Sequence, residues 1–359
     1  MVGIIFSNDT NTCPFLDKYI KVLNNIGQEY EVILWNREGN NTVYPPNYLV
    51  CNVKSDVYVP IRKKIIGFLK FKQFLIKTIK DRDYDKLIFL TTFPAIFCYK
   101  LTKKQYKNKY IFDFRDLSYE RYGFFRKRVK KIIKNSAFTC LSSPGFAEVL
   151  GLDNYVMAHN FRYKDLDQAN KCDIGIKKAE GKIKILHIGI TRGEEFNKRI
   201  ADIFGNDERF EVNIVGSGND TASFVQYIKD IPNVFVKGTY NNEEKAKFID
   251  EADMLLYYYP CDFNCDRALA NKYYDCLIYK KPLIGNADTY SGQRLRQKGL
   301  GISLKLDCDN FANEVFDFYA SIKIDDFKEA INTEIQAVLN DDVKYLKAIE
   351  DFLIGKSNL

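Results

Sequence analysis

Residues 271–285 read Asn-Lys-Tyr-Tyr-Asp-Cys-Leu-Ile-Tyr-Lys-Lys-Pro-Leu-Ile-Gly and predict a short helix, a basic turn and a buried strand. Asn271 is placed to cap the helix, because its side-chain oxygen can accept a hydrogen bond from a first-turn N–H. Lys280 and Lys281 follow at the negative helix end, and Pro282 stops the helix before the strand. The segment therefore sets one carboxylate, Asp275, inside a helix of an α/β domain.

This segment resembles the NKlyEyla-GKPvI segment of family 4 nucleotide-sugar glycosyltransferases, which have two Rossmann-like domains facing a cleft (the GT-B fold). In that family the acid of this helix holds the nucleotide ribose, and Asp275 stands at its position, one methylene shorter than the usual Glu. A carboxylate suits this role because its two oxygens can accept hydrogen bonds from both hydroxyls of a cis-diol. Asn271 and Lys272 belong to the same donor-binding motif. The alternative is an ordinary solvated helix acid.

Length and composition limit the class of protein. A chain of 359 residues predicts two domains, and 46% hydrophobic with 14% aromatic residues predicts a globular protein. No apolar run approaches the length of a membrane span, and Met1–Phe6 lacks a basic leader, so we interpret it as a first strand. Nine scattered cysteines without a CxxC pair indicate reduced thiols in the cytoplasm. With two histidines we expect no histidine-based metal centre and no cofactor.

The net charge of +7 suits an anionic partner, and residues 121–134 concentrate it. Apolar residues in this stretch follow helical spacing, namely Phe125, Val129, Ile132 and Ile133. Its basic residues include Arg126, Lys127, Lys130 and Lys131. Such a helix can lie on an anionic membrane, which would place the protein peripherally on the inner face of the plasma membrane. The alternative is a domain helix with a basic outer face. No nucleic-acid-binding module is present, so no nucleic acid is expected.

Strand and helix patterns alternate in both halves of the chain, which predicts two doubly wound parallel sheets. The first-half strands are Val2–Phe6, Glu31–Trp35, Lys86–Thr91, Tyr110–Phe114, Ala137–Leu141 and Tyr155–Ala158. The second-half strands are Ile183–Ile188, Phe210–Val215, Val234–Val236, Met254–Tyr258, Leu283–Ile284 and Gly301–Leu304. The predicted domains are residues 1–165 and 183–325, with a linker at 166–182 and C-terminal helices at 326–359 that could pack back on the first domain. Ligands of such sheets bind at the carboxyl ends of the strands.

Two glycine turns of the second half are candidates for donor binding. Gly189 follows the first strand and precedes Arg192 and Lys198, and a glycine turn at a helix start suits a phosphate. This pattern is similar to the GRl…KG phosphate clamp of family 4 enzymes. Gly216 and Gly218 resemble the vGxG turn of that family, although a tight turn also needs glycine for steric reasons.

The loop before the ribose helix departs from the family. Many members carry Glu eight positions before the ribose acid, whereas this chain has Arg267. The resemblance assigns this loop to the donor sugar, and Asp262, Asn264 or Asp266 could replace the missing Glu.

In the first half, residues 112–117 resemble the D-x-RDlw element of a subgroup that makes bacterial surface polysaccharides. The resemblance implies that Arg115 and Asp116 enter the cleft, with Asp116 near the acceptor and the donor sugar. As an alternative, a pair between Asp113 and Arg115, or between Arg115 and Asp116, could only brace the loop. Three residues that end the next two strands also resemble family loops that border the cleft, namely Ser142, His159 and Asn160.

The resemblance implies a retaining, metal-independent glycosyltransferase that uses a nucleotide-sugar donor and a glycan or polyprenyl-linked acceptor of capsule or O-antigen type. Arg192, Lys198 and the adjacent helix start would stabilise the leaving diphosphate. Asp81-Arg82-Asp83 is a DxD triplet, but it precedes a strand and so lies at the wrong sheet edge for a ligand. Two alternatives stay open. A nucleotide-sugar epimerase would turn over its donor alone, and a non-catalytic scaffold would bind a donor without transfer.

Overall fold

The computed structural model describes residues 1–55, 61–169, 172–176, 181–191, 193–218, 221–241, 243–259 and 262–356, without the side chains of residues 11, 61–63, 164, 167 and 168. The chain divides into two compact units. Unit 1 comprises Met1–Asn160 and the chain from Leu339 onward, and unit 2 comprises Phe161–Val338. The division after Asn160 lies close to the end of the predicted first domain at 165.

Unit 1 is built on a parallel sheet of seven strands. The strands are β1 (Val2–Phe6), β2 (Tyr30–Trp35), β3 (Tyr48–Cys51), β4 (Lys86–Leu90), β5 (Tyr110–Phe114), β6 (Phe138–Leu141) and β7 (Val156–Met157). The helices are α1 (Leu16–Asn25), α2 (Ile61–Arg82), α3 (Thr92–Gln105), α4 (Gly123–Asn135) and α5 (Gly145–Leu150). The strand order β3-β2-β1-β4-β5-β6-β7 reverses direction between β1 and β4. Such a reversal is the place where open α/β sheets bind ligands.

The central strands of unit 1 are apolar because helices cover both faces of a parallel sheet. Every residue of β1 and β5 is buried. Strand β3 was not predicted from the sequence, since it is a short edge strand in which only Cys51 is buried. An edge strand has few buried residues, so its sequence lacks the apolar pattern that predicts a strand.

Unit 2 repeats the design with six parallel strands. They are β8 (Ile183–Ile188), β9 (Phe210–Val215), β10 (Val234–Lys237), β11 (Met254–Tyr257), β12 (Leu283–Asn286) and β13 (Gly301–Leu304). The helices are α6 (Tyr163–Ala169), α7 (Glu194–Phe204), α8 (Thr221–Tyr227), α9 (Lys245–Glu251), α10 (Asn271–Tyr279), α11 (Tyr290–Gln297) and α12 (Phe311–Ser321). The order β10-β9-β8-β11-β12-β13 reverses between β8 and β11. The predicted pair of doubly wound parallel sheets is therefore confirmed.

The last helix, α13 (Ile324–Leu353), contributes to both units. Its end supplies Tyr345, Ile349 and Phe352 to the hydrophobic core of unit 1. Lys86 Nζ donates to the carbonyls of Phe352 and Leu353 at 2.6 and 2.8 Å, which satisfies acceptors that a helix end leaves open.

Candidate functional site

Helix α10 carries the carboxylate that the sequence singled out, but Asn271 does not cap it. The N-cap is Ala270, whose backbone is extended, and the helix begins at Asn271 itself. The N–H of Ala270 is held by Ser291 Oγ at 2.9 Å, which fixes the chain one residue earlier than predicted. The predicted capping role of Asn271 is therefore wrong.

Helix α10 is buried on all sides from Lys272 to Tyr279. From one side Tyr273 donates its hydroxyl to Glu334 Oε1 at 2.7 Å. The basic turn after the helix serves a neighbour, because Lys281 Nζ donates to the carbonyl of Ala252 at 2.6 Å and so caps the end of α9. Asp275 is 4% exposed, which excludes the alternative of a solvated helix acid.

The two carboxylate oxygens of Asp275 have different surroundings. Oδ1 accepts a hydrogen bond from Lys245 Nζ at 2.5 Å. Oδ2 is buried, lies 3.5 Å from Lys272 Nζ and accepts no hydrogen bond from the part of the chain that the structure describes. Burial lowers the pKa of Lys272, although the charge of Asp275 opposes that shift. One oxygen is thus held in place by a lysine, and the other can accept a hydrogen bond from a ligand hydroxyl.

The glycine turns pack against each other next to this carboxylate. A Cβ at Gly216 would lie 1.9 Å from the carbonyl oxygen of Gly189, and a Cβ at Gly218 would lie 2.0 Å from that of Thr191. The glycines are therefore required for steric reasons. Lys272 Nζ lies 3.3 Å from the position of a Cβ on Gly189, so the structure brings Lys272 to the carboxyl end of β8.

Two further residues of this site were missed by sequence reasoning. Lys245 is the first residue of α9, and no motif distinguishes it from other surface lysines. His187 lies near the end of β8, where burial and the nearby Lys272 charge lower its pKa to about 4. Its Nε2 has no hydrogen-bond partner among the described residues, and the ring is neutral at physiological pH.

Only one of the two basic residues of the predicted phosphate clamp lies within the described part of the chain. Arg192 lies outside the described residues. Lys198 Nζ lies 2.9 Å from Glu194 Oε1 and 3.5 Å from Glu195 Oε1. Hydrogen bonding to Glu194 raises the pKa of Lys198. The two glutamates occupy the first turn of α7, where negative charge complements the helix dipole.

The loop before α10 is held by its own contacts. Asp262 Oδ1 accepts from the backbone N–H groups of Asn264 and Cys265 at 2.8 and 2.6 Å. Arg267 donates to the carbonyl of Phe263 at 3.2 Å, and its guanidinium lies 4.9 Å from the Phe263 ring centroid. Arg267, at the position where the resembled enzymes carry Glu, is thus engaged with the loop itself.

In unit 1 the residue Arg115 is buried rather than presented at the sheet edge. Its Nη2 donates to Asp113 Oδ2 at 2.7 Å and its Nη1 to the carbonyl of Ala158 at 2.8 Å. Burial alone would lower the pKa of Arg115, but the Asp113 carboxylate outweighs it and raises that pKa. Tyr19 also donates to Asp113, at 2.8 Å. Arg115 therefore occupies the bracing position that the sequence left open as an alternative.

The other first-half candidates surround this buried pair or follow it. Ser142 Oγ donates to the carbonyl of Arg115 at 2.7 Å. His159 is buried with Nε2 at 3.2 Å from Asp341 Oδ2, and Asn160 follows it at half-buried exposure. Asp116 is exposed directly after β5. Of the first-half candidates, Asp116 and Asn160 are thus the more accessible to a ligand.

Helix α4 turns its apolar face inward. Val129 and Ile132 are buried, whereas Lys127, Lys130 and Lys131 are exposed and Arg126 is half-buried. The exposed apolar residue at its start is Phe124, at 78%. In the predicted apolar stripe, Val129 and Ile132 are thus buried against the unit while Phe125 and Ile133 are half-buried, and the outer face is basic. No helix in the described ranges is both long enough and apolar enough to cross a bilayer. Across those same ranges, no group of three acidic, cysteine or histidine residues is arranged to hold a metal ion.

Comparison with solved structures identifies the fold. No protein-family model matches the sequence, and no curated protein matches it. Among solved structures, the lipopolysaccharide outer core galactosyltransferase WaaB in apo form aligns over 99% of both chains, with TM-score 0.65 and 13% identity. WaaG, a glycosyltransferase involved in lipopolysaccharide biosynthesis, aligns over 97% of this chain and 99% of its own, with TM-score 0.59 and 10% identity.

A sucrose-phosphate synthase from Thermosynechococcus elongatus aligns over 94% of this chain and 98% of its own, with TM-score 0.64 and 12% identity. All three likenesses extend over nearly the whole chain, so they concern both units. At these identities they establish architecture. By structure alone, this chain has the GT-B glycosyltransferase fold and is similar to family 4 enzymes.

Proposed function

We propose that the protein is a glycosyltransferase that binds a nucleotide-sugar donor on unit 2. The observation that carries this proposal is Asp275, a buried carboxylate with one oxygen held by Lys245 and the other without a hydrogen-bond donor among the described residues. The backbone at Gly189 and the buried Lys272 ammonium lie beside it at the carboxyl end of β8. A ribose on the acid and a diphosphate near the cation match this pair of chemical groups.

The proposed reaction transfers the sugar with retention at its anomeric carbon. The bond from this carbon to the diphosphate oxygen breaks, and the diphosphate leaves with the electron pair. The acceptor hydroxyl forms the new bond from the same face and gives its proton to the departing phosphate oxygen. Arg192, Lys198 and the buried Lys272 would stabilise the negative charge on the leaving group. Asp116, exposed after β5, would lie near the acceptor.

We further propose a glycan or polyprenyl-linked glycan of bacterial surface polysaccharide synthesis as the acceptor. The sequence resemblance at residues 112–117 supports this assignment, as do the lipopolysaccharide roles of WaaB and WaaG. The exposed lysines of α4 suit attachment to an anionic membrane on its cytoplasmic face. A protein held there would meet a lipid-linked acceptor.

A thermal-shift panel of UDP-, GDP-, dTDP- and CMP-sugars tests the donor site. A ligand at about 100 times its Kd stabilises the fold by about 2.7 kcal/mol. Asp275→Asn should weaken the binding of the donor that stabilises the wild type by about 1.5–3 kcal/mol, because the variant loses a charge-assisted hydrogen bond. Asp250→Asn, at an exposed acid of α9, is the matched control and should change nothing.

A 2′,3′-dideoxy nucleotide shows whether the ribose is the group that Asp275 holds. It should bind the wild type poorly and lose little more affinity in Asp275→Asn. If the two losses add, Asp275 does not contact the ribose. If no sugar nucleotide stabilises the wild type, the proposed function is refuted.

A further inference from the structure

Helix α2 of unit 1 carries apolar residues on two sides, and only one side faces its own domain. Phe71, Leu75 and Ile79 are buried and repeat every four positions, so they form the inner face of the helix. On the outer side, Ile66 and Leu69 are 66% and 53% exposed. Large apolar side chains that cluster on a protein surface mark a place where a partner binds.

Further residues extend this outer face along α2. Ile65 is 48% exposed and precedes Ile66 in the same turn. Ile76 lies about three turns after Ile65 and therefore on the same side of the helix. Ile76 and Leu69 line one groove together with several lysines, among them Lys72 and Lys77. The outer side of α2 thus combines aliphatic side chains with flanking ammonium groups.

The charge around this face is strongly positive. Seven lysines and arginines lie between Ile61 and Lys80, and no acidic residue lies among them. Residues 61–135, which contain α2, α3 and α4, hold 22 basic and 6 acidic residues, a net charge of +16. The whole chain has a net charge of +7, so the remaining residues carry −9. A surface of this sign attracts an anionic partner.

Helices α2, α3 and α4 form one layer of unit 1. They connect β3 to β4, β4 to β5 and β5 to β6, and each connection runs in the same direction across the sheet. Right-handed crossovers place such helices on the same face. Phe93 of α3 contacts Phe68 of α2 and Phe125 of α4, with ring centroids 5.3 and 6.4 Å apart. The basic face of α4 and the aliphatic face of α2 thus belong to one side of unit 1.

This combination of residues favours an anionic bilayer over other anionic partners. At a bilayer, aliphatic side chains enter the boundary between headgroups and acyl chains, while lysines beside them meet anionic headgroups. A nucleic acid would use the charge, but its bases stack on aromatic side chains and would leave isoleucine and leucine uncovered. A second copy of the same face would bring two positive surfaces together, which like-charge repulsion opposes.

We propose that Ile65, Ile66 and Leu69 of α2 insert into the acyl boundary of an anionic membrane, with the exposed Lys70 and Lys77 at the headgroups. This apolar anchor rests on the membrane attachment in the proposed function and deepens it, because it adds hydrophobic insertion to the electrostatic contact of α4. It does not depend on the transfer reaction.

Co-sedimentation of the full chain with phosphatidylcholine vesicles, with and without phosphatidylglycerol, tests the anchor. The wild type should bind the vesicles that contain phosphatidylglycerol. Ile66→Ser with Leu69→Ser should lower the partition coefficient about tenfold, because two aliphatic side chains no longer enter the apolar layer. This loss should persist at about 0.5 M salt, where charge contacts are screened.

Val343→Ser with Ile354→Ser is the matched control. Val343 and Ile354 belong to unit 1, lie outside residues 61–135 and are 66% and 45% exposed. The control removes a similar exposed apolar surface and should leave vesicle binding unchanged.

Lys70→Gln with Lys77→Gln separates charge from insertion. This variant should lower binding at low salt about ten- to thirtyfold, since each lysine near anionic lipid contributes to attraction. Its effect should disappear at about 0.5 M salt, unlike that of the aliphatic pair.

Tryptophan fluorescence reports insertion directly. Trp35 is the single tryptophan of the chain and is fully buried, so it gives a constant background. Lipids brominated on their acyl chains should quench the added fluorescence of Ile66→Trp and leave that of Val343→Trp unchanged.

Three results would overturn the anchor: unchanged vesicle binding of Ile66→Ser with Leu69→Ser, an equal loss in the control pair, or no quenching of Ile66→Trp. A wild-type dimer that dissociates in the aliphatic variant would assign this face to a second copy instead. A nucleic acid whose binding the aliphatic variant weakens would likewise replace the membrane as the partner.

Sugar-nucleotide binding separates the anchor from the donor assignment, and the aliphatic variant should bind sugar nucleotides as the wild type does. Vesicle binding without sugar-nucleotide binding would refute the donor assignment and keep the anchor. Sugar-nucleotide binding without vesicle binding would refute the membrane attachment, including the anchor, and keep the donor assignment.

Discussion

Lys245 Nζ lies 2.5 Å from Asp275 Oδ1, and this contact fixes one oxygen of a carboxylate that is otherwise buried in α10. The aspartate side chain is 6% exposed and the lysine 25% exposed. An ion pair this far from solvent contributes more through geometry than through net stability. The pair holds Oδ1, while Oδ2 has no hydrogen-bond donor among the described residues and is the oxygen that we propose for the ligand hydroxyl.

Lys245→Met should therefore reduce both stability and donor affinity. Removal of one partner leaves a buried carboxylate without its cation, which we expect to cost about 1–3 kcal/mol of unfolding free energy. Urea unfolding measures this loss, and calorimetry with the stabilising nucleotide should show about three- to tenfold weaker binding. Lys247→Met, at another lysine of α9, is the control. Unchanged nucleotide affinity in Lys245→Met would remove Lys245 from the site.

Arg192, Lys198 and Lys272 should not contribute equally to transfer. Arg192→Ala and Lys198→Ala should each lower transfer about ten- to a thousandfold if they clamp the diphosphate. The two glutamates already paired with Lys198 predict the lower end of this range for that variant. Lys272→Met should have the larger effect on diphosphate affinity, because its ammonium is buried.

Steady-state kinetics with and without EDTA complete this test. Transfer should survive EDTA, since protein cations are expected to balance the leaving group. A strict need for Mn²⁺ or Mg²⁺ would contradict that mechanism.

His187 should make the fold less stable in mild acid. Its folded pKa of about 4 lies below the ordinary value of 6.5. The unfolded chain therefore binds more protons between these values, and the contribution of His187 is complete above pH 6.5 and is lost as the pH falls toward 4. We expect a loss of about 2 kcal/mol between pH 7 and pH 5. Urea unfolding of His187→Phe should show that much less pH dependence, and an unchanged slope would contradict the assignment.

The basic face of α4 should bind anionic vesicles in a salt-dependent way. Juxtamembrane lysines contribute about 1 kcal/mol each near anionic lipid, so Lys130→Gln with Lys131→Gln should release much of the protein. Lys103→Gln with Lys104→Gln removes the same charge from exposed residues of α3 and should have a smaller effect. Co-sedimentation with phosphatidylglycerol vesicles measures both. If the wild-type protein does not bind these vesicles at low salt, the basic face of α4 is an ordinary solvated surface.

Sequence patterns predicted the fold well because buried parallel strands are apolar and glycine turns follow them. For the same reason, the order of helices and strands around residues 271–285 could be predicted from the sequence. The edge strand β3 was missed, since an edge strand has little hydrophobic contrast.

The site was predicted less completely because its polar contacts join distant parts of the chain. Lys245 meets Asp275 across 30 residues, and no local pattern encodes that contact. Arg115 lies beside Asp116 in sequence, yet one is buried in an ion pair and the other is exposed.

NMR of a nucleotide-sugar donor, recorded with and without a saccharide acceptor, tests whether the protein transfers the sugar. The donor that stabilises the protein should be consumed only when the acceptor is present, and the product should keep the donor's anomeric configuration. Asp275→Asn should slow this transfer. Conversion of the donor alone into an isomeric sugar nucleotide, or tight donor binding without any transfer to a broad acceptor panel, would contradict the proposed glycosyltransferase.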